Sequence, residues 1–474
     1  MTIESLKSFF EPESIAVVGA SRDPNKGGSI IVGNLKRWDS KFVERVYPIN
    51  PGADKVLELK AYPSLREIPD KVDLVVVLTP ARTLPTILKD AAEKNVKAVI
   101  IESAGFAEVG PQGIALQEEV VKIAKSAGIR IIGPNCTGVI NANNNLITTF
   151  VEVTDITKGG VSIVAQTGMF AGTLIPEFIS QNLGLSKVAC FGNKADVDEV
   201  DLIEYYAEDP ETSVMALYLE GIADGRRLIQ VAKEITKKKP IIILKGGRSD
   251  AGAKAALSHT ASIAGRDEVV EAAFKQIGIL QAETLEDLIG FSKALDWLEL
   301  PQGNRVAIVT ASGGGGVLAS DQCAQQGLNV VNLSEVTVNK LAEVFPAWMP
   351  PSNPIDMWPA ISVAKHGLNE VHSLVLQSVI EDSSVDCILF ILMALKELEQ
   401  IDIDMIINMQ VNNRKPMVCW LFGDPKIVNK WRYRFEDHRI PVSSSLSVTI
   451  GFLKALVTRK KYLDRLELEG NQSS

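Results

Sequence analysis

The chain has 474 residues, 46% hydrophobic and 23% charged, with a formal net charge of −9; at roughly 150 residues per domain that length predicts about three domains. The acidic balance argues against nonspecific nucleic-acid binding and against anionic membranes. No apolar run approaches the roughly 20 residues of a membrane span, and the N-terminus MTIESLKSFFEPES lacks the basic-then-apolar pattern of a secretory leader.

The first block alternates apolar runs with helical patterns. SIAVVGA, RVYPIN, LVVVLT, AVIIES and IRIIGPN each predict a short buried strand ending in a Gly, Pro, Asn or Ser loop, with TLPTILKDAAEKN and ALQEEVVKIAKSAG as helices between them. Val/Ile runs apolar on both faces, in a βαβ rhythm, imply a parallel doubly wound sheet whose ligands gather at the carboxyl ends of its strands. VVGASRDPNKGGS runs from a strand into a glycine-rich turn that opens a helix, and so offers backbone N–H groups and a positive helix end to a phosphate. A nicotinamide dinucleotide would need G-x-G-x-x-G and an acidic residue closing the second strand. After Gly19 the chain reads Ala-Ser-Arg-Asp-Pro, and the second strand closes on Asn50 and Pro51, so this rival oxidoreductase reading is set aside.

NANNNLITTFVEVTDITKGG predicts a polar connector to a second series, VSIVAQTG, KVACFGN, VMALYLEG and PIIILKGG, with helices at DLIEYYAED and GRRLIQVAKEITKKK. VSIVAQTGMFAGTL is again strand, turn and helix start, and would present the N–H groups of Gln166, Thr167 and Gly168 to an anion. Glu220 ends VMALYLE at the sheet edge where ligands gather. FGNKADVD lies at the next strand end and is expected to wall the same site, with a helix cap as the plainer alternative. KGGRSDAGAKAALSHTASIAG, residues 245–265, surrounds His259 with small residues, which suits a segment that moves while carrying one reactive group. An imidazole with an unperturbed pKa of about 6.5 is largely neutral near pH 7. One ring nitrogen can then accept a phosphoryl group while the other donates to a carboxylate. The stretch is no P-loop, because Gly252 is followed by Ala253 and Lys254 by Ala255.

EDLIGFSKALDWLEL predicts a helix, PQGN a linker, and RVAIVTASGGGG, LNVVNLS, CILFILM, MVCWLFG and RIPVSSS a third α/β series. The tetraglycine either holds an anion or lets a helix pack close to a strand. EGNQSS is expected to fray. His366, His372 and His438 are expected on helical or loop surfaces without ligand-like spacing, and no metal site is predicted. The five cysteines lack C-x-x-C pairing, which suits a reducing, cytoplasmic setting. Cys136 reads as a small buried hydrophobe and not as a nucleophile.

VVGASRDPNKGG, PINP, AYPSL, ESAGF and IIGPNC, in this order, resemble the coenzyme A-binding domain of the NDP-forming acyl-CoA synthetases, the superfamily of succinyl-CoA synthetase. SHTASIAG resembles its phosphohistidine segment, and the whole chain is similar to ADP-forming acetate–CoA ligase alpha subunits. The resemblance implies an α/β chain of three doubly wound domains. These are a Rossmann-like CoA-binding domain over 1–143, a flavodoxin-like domain bearing the phosphohistidine over 144–300, a second flavodoxin-like domain over 301–465, and a tail, 466–474. It implies Gly19, Ala20 and Ser21, with Lys26 beside them, on the CoA phosphates. Pro51, Thr79, Pro80 and Ser103 would follow along adenosine and pantetheine, with Asn135 near the thiol end. It further implies His259 as the phosphorylated residue, Glu220 as its support, and Gln166, Thr167 and Gly168 as the phosphate site. The family usually writes that turn S-Q-S-G; Ala165 here removes one hydroxyl and leaves the backbone role intact. The implied reaction interconverts acyl-CoA, phosphate and ADP with a small carboxylic acid, CoA and ATP. Mg²⁺ and the nucleotide would be held chiefly by an ATP-grasp beta subunit, in an α2β2 or alpha-dimer assembly. The alternative is a non-catalytic CoA-binding regulatory subunit, for which the altered A-Q-T-G turn argues. NPID, residues 353–356, matches a family motif and departs from it at Met357-Trp358-Pro359.

Overall fold

The structure, a computed structural model, describes residues 4–37, 43–168, 173–252, 254, 267–362 and 367–472. The chain divides into two compact units, 1–283 and 284–474. In the first, strands β1 (Ile15–Val18), β2 (Val46–Ile49), β5 (Leu74–Val77), β6 (Ala98–Ile101) and β7 (Arg130–Ile132) form a parallel sheet in the order β2-β1-β5-β6-β7; β3 (Lys55–Val56) and β4 (Leu59–Lys60) make a small separate hairpin. β1, β2, β5 and β6 are buried at every position, as their Val/Ile runs require. One face of the sheet packs under helices Leu84–Glu93 and Pro111–Ser126. The other shares a core with the second sheet.

That second sheet contains β8 (Gly138–Asn141), β9 (Leu146–Ile147), β10 (Lys158–Ala165), β11 (Leu185–Cys190), β12 (Val214–Leu219), β13 (Ile241–Lys245) and β14 (Leu280–Ala282), in the order β14-β13-β12-β10-β11-β8-β9. β8 and β9 are its antiparallel members. The stretch read as a polar connector therefore begins inside a hairpin. Its asparagines satisfy buried backbone: Asn141 and Asn144 both donate to the Phe10 carbonyl, at 3.0 and 2.9 Å. A run of amides that looks like linker composition serves here as turn chemistry.

The second unit holds β15 (Arg305–Thr310), β16 (Asn329–Val330), β17 (Ile355–Asp356), β18 (Cys387–Ala394), β19 (Met417–Gly423) and β20 (Val442–Ser443), ordered β16-β15-β18-β19-β20 with β17 also on β15. Asn353 of the NPID motif stitches this sheet: its amide donates to the carbonyls of Val306 (2.8 Å) and Val331 (2.7 Å), and its Oδ1 accepts from the Ile308 N–H (2.9 Å). In the tetraglycine, a Cβ on Gly316 would meet Pro354 at 3.0 Å, which favours close packing as the reason for glycine there.

Helix Leu285–Trp297, expected to close the second block, packs within the second compact unit, where Ala294 shares a cluster with Ile450, Leu453 and Leu456 of helix Leu446–Gln472. Two further expectations are corrected. That last helix continues to Gln472 through the residues expected to fray. His372 is buried, edge-on to Phe390 and with Nδ1 2.8 Å from the Leu368 carbonyl, where burial lowers its pKa. His438 is exposed as expected, and His366 lies outside the described residues.

Candidate active site

The strand order reverses between β1 and β5 in the first sheet and between β10 and β12 in the second. Ligands in open α/β sheets bind beyond the carboxyl ends at such points, and both predicted sites fall there. Beyond β1 and β5 lies a cavity of 490 Å³ whose lining includes Gly19, Ala20, Ser21, Lys26, Pro51 and Thr79. Gly19 has φ +95, open to glycine without strain. The Asn50 amide donates to the Ala20 carbonyl at 2.7 Å, so the residue standing where a dinucleotide site needs an acid is engaged in shaping the turn. Helix Gly27–Arg37 brings its first two residues to the cavity wall and carries no acid in its first turn. Its positive end and free N–H groups, with Lys26 alongside, suit phosphate oxygens. Pro80, Ser103 and Asn135 lie outside this lining. The Ser103 hydroxyl braces the Thr79 carbonyl at 2.6 Å, Pro80 leads into the short turn Ala81–Thr83, and the Asn135 amide reaches Asn193 Oδ1 at 3.4 Å.

At the second reversal, β10 and β12 are neighbours, so Gln166 and Glu220 emerge side by side. The Gln166 N–H donates to the Tyr218 carbonyl at 3.0 Å. That donor, expected for an anion, belongs to the sheet. The Gln166 side chain has the more telling role: Oε1 accepts from the N–H groups of Glu220 (2.8 Å) and Gly221 (3.1 Å), tying the two strand ends together. Thr167 is buried, and a Cβ on Gly168 would meet the Thr137 methyl at 2.9 Å.

Glu220 is 6% exposed and accepts from the Tyr218 hydroxyl at 3.5 Å. Burial and the Glu220 charge push that phenol up to about 12, so it stays a donor at neutral pH. The Gly246 N–H donates to the Leu219 carbonyl at 2.8 Å, and a Cβ on Gly246 would sit 3.6 Å from Glu220 Cγ. Arg248 pairs with Asp267 at 2.8 Å, bringing together the two ends of the stretch that contains residue 259. The glycine-rich segment therefore leaves from, and its far end returns near, the edge that carries Glu220. His259 itself lies outside the described residues.

Asp198 is a helix cap, accepting from the N–H groups of Val200 and Asp201, both at 2.9 Å, as the plainer reading of FGNKADVD had it. Cys136 is buried, its thiol bonded to the Ile101 carbonyl at 3.3 Å and pushed up by burial and by the nearby Glu102. No sequence motif marks the burial of Glu102. Both its carboxylate oxygens are buried without a hydrogen-bond partner among the described residues, and burial raises its pKa well above the usual carboxylate range. Among the described residues no group of three or more His, Cys, Asp or Glu could hold a metal ion, and no helix is long and apolar enough to cross a membrane.

Residues 13–142 match the model of a CoA binding domain, and residues 158–295 that of the succinyl-CoA ligase like flavodoxin domain. Subunit alpha of the ADP-forming acetate–CoA ligase II of Pyrococcus furiosus is 39% identical over 96% of this chain and 98% of that one. The chain belongs to the family of ADP-forming acetate–CoA ligase alpha subunits. The ADP-forming acetate–CoA ligase II of Archaeoglobus fulgidus is 38% identical over 95% of this alpha-subunit chain, which spans 66% of that protein's length. The dinucleotide-forming acetyl-coenzyme A synthetase 1 of Ca. Korarchaeum cryptofilum, solved with phosphate and ADP, superposes with a TM-score of 0.88 at 34% identity, over 97% of this alpha-subunit chain and 98% of that chain.

Proposed function

We propose that this chain is the alpha subunit of an ADP-forming acyl-CoA synthetase, interconverting acyl-CoA, phosphate and ADP with a carboxylic acid, CoA and ATP. The observation that carries the proposal is the meeting of Gln166 and Glu220 at the strand reversal, with Gly246, where the histidine-bearing segment begins, beside the Glu220 side chain. The turn of Gly19 to Ser21, with Lys26 and the start of helix Gly27–Arg37, holds the CoA phosphates. Pro51, Thr79, Pro80 and Ser103 follow the rest of the cofactor, and Asn135 marks its thiol end. A phosphate oxygen attacks the thioester carbonyl, the C–S bond breaks, and CoA leaves as a thiolate that takes up a proton. Thr167 and Gly168 steady the resulting acyl phosphate through backbone N–H groups, since fixed donors need no reorganisation as charge shifts. His259 then attacks phosphorus and the P–O bond to the acyl carboxylate breaks. Glu220 accepts the other ring N–H, fixes the tautomer and stabilises the cationic phosphorylated ring. An oxygen of the ADP β-phosphate finally takes the phosphoryl group and frees the imidazole, on a Mg²⁺-nucleotide held by an ATP-grasp partner.

The chain with its partner, Mg²⁺ and γ-³²P-labelled ATP should acquire an acid-labile, base-stable label that is absent from His259→Ala. Equal labelling of that variant overturns the reading. CoA binding by a wild-type chain that never labels would instead favour the non-catalytic regulatory subunit.

A further inference from the structure

The segment between β11 and helix Glu199–Glu208 is clamped on both sides, and the two clamps join the halves of the proposed site. On one side it lies on the end of the CoA-binding sheet. N–H groups of Asn193, Ala195 and Val197 donate to the carbonyls of Pro134 (2.9 Å), Gly133 (3.1 Å) and Ile131 (3.1 Å). Gly192 runs so close to this stretch that a Cβ would collide with the Pro134 and Asn135 carbonyls. The Asn193 amide donates to Glu108 (2.6 Å) and Gln117 (3.1 Å), and its oxygen accepts from Asn135. Asp196 accepts from Arg130 and from the Ile131 N–H, both at 2.8 Å.

The other side faces the turn that follows Glu220. Lys194, in a left-handed conformation uncommon for a lysine, directs its ammonium inward to the Gly221 carbonyl (2.7 Å) and to Glu199 (3.1 Å). Glu199 is fully buried, and its second oxygen accepts from the Ala223 N–H at 2.7 Å. Gln166 thus holds the Glu220 turn from the strand side, while Lys194 and Glu199 hold it from the strap. A solvent-facing lysine would have served if charge or solubility were all that position 194 supplied.

We propose that Lys194 is a positioning residue for Glu220, anchoring the turn that carries this carboxylate to a strap clipped onto the CoA-binding domain at residues 131–135. Alignment of the carboxylate behind the phosphorylated histidine then depends on the half of the site that holds the CoA thiol end. The inference rests on the reading of Glu220 given above.

The test uses the full chain with its partner, acetyl-CoA and ³²P-phosphate, following the rate at which label reaches the chain. In Lys194→Met/Glu199→Gln the charge pair is removed together, and Gln still accepts from Ala223. In Asn193→Ala the strap is loosened at its far end without a change of charge. The double variant should label about tenfold more slowly with CoA affinity and melting temperature near wild type, a loss of kcat and not of binding. Asn193→Ala should lose about threefold. In a Glu220→Gln background neither change should slow labelling further, because residues acting through one group are not additive. A structural role would instead multiply the two losses. Losses that multiply, or variants that label at the wild-type rate, overturn the inference alone. Should the double variant lose CoA binding, the Asn193→Ala result with and without Glu220→Gln decides the matter by the same criterion. A wild-type chain that acquires no label overturns the proposed function and this inference with it.

Discussion

Glu102 carries a consequence that a hydrogen-bonded carboxylate would not. Its oxygens have no hydrogen-bond partner among the described residues, and Gly138 crosses so closely that a Cβ there would lie 2.5 Å from Oε1. Burial raises the pKa, so the native chain keeps a proton that the unfolded chain has already released at the ordinary carboxylate value. Between those two values the unfolded state binds fewer protons, and stability falls as pH rises. The contribution is whole below the unfolded pKa and is lost as pH climbs through the folded one. Glu102→Gln removes this titration. Denaturant melts at about pH 5 and about pH 8 should show the wild type losing more stability than the variant as the pH rises. Parallel losses in the two proteins would show that Glu102 does not titrate as argued. Nothing in ESAGF signals this burial. It arises because β8, read as the tail of one domain, turns back over the end of β6.

Helix Gly27–Arg37 shows at the scale of an element what glycine does in the proposed CoA cradle. Gly28 rests against the Gly19 carbonyl with no room for a Cβ, whereas Gly33 in the same helix has, among the described residues, only a Leu57 methyl within reach, at 3.7 Å. Gly28→Ala must push the helix end away from the turn and should weaken CoA binding at least tenfold, about 1.4 kcal/mol by calorimetry. Gly33→Ala should leave CoA affinity unchanged and stabilise the chain by about 0.4–1 kcal/mol through the unfolded state. Equal CoA affinity in Gly28→Ala and wild type would remove the cradle from the phosphate site. This much was legible in the sequence, because a strand, a glycine turn and a helix start leave a continuous trace in VVGASRDPNKGGS. The same holds for the strand ends that place Gln166 and Glu220. The Gln166 side-chain bonds, the Lys194 anchor and the burial of His372 were not legible, since each depends on which strand or helix becomes a neighbour and none on local pattern.

At the scale of the whole molecule, motifs and packing answer different questions. The motifs end the CoA-binding domain at residue 143, and the compact unit that contains it runs to 283, its two sheets sharing one core. Phe10, from the N-terminal helix, stacks on Tyr205 with ring centroids 5.0 Å apart and meets Tyr206 edge-on at 5.8 Å. Arg130 at the edge of the first sheet pairs with Asp196 and Asp201 beside the second, both at 2.8 Å. β8 hydrogen-bonds to β11, so a cut at 143 leaves a strand without its ladder and Arg130 without its acids. Each large apolar side chain exposed by that cut forfeits about 1.5–3 kcal/mol, and a few of them exceed the roughly 5–15 kcal/mol that holds a domain together. A fragment of residues 1–283 is therefore expected to melt cooperatively and to bind CoA as the full chain does. A fragment of residues 1–143, though it holds every predicted CoA contact, should show no cooperative melt and only weak CoA binding. Circular dichroism with calorimetric titration of both fragments decides the point. Cooperative unfolding of the shorter one at the same temperature, with equal CoA affinity, would mean that the shared core is dispensable and that the boundary suggested by the motifs is also the boundary of folding.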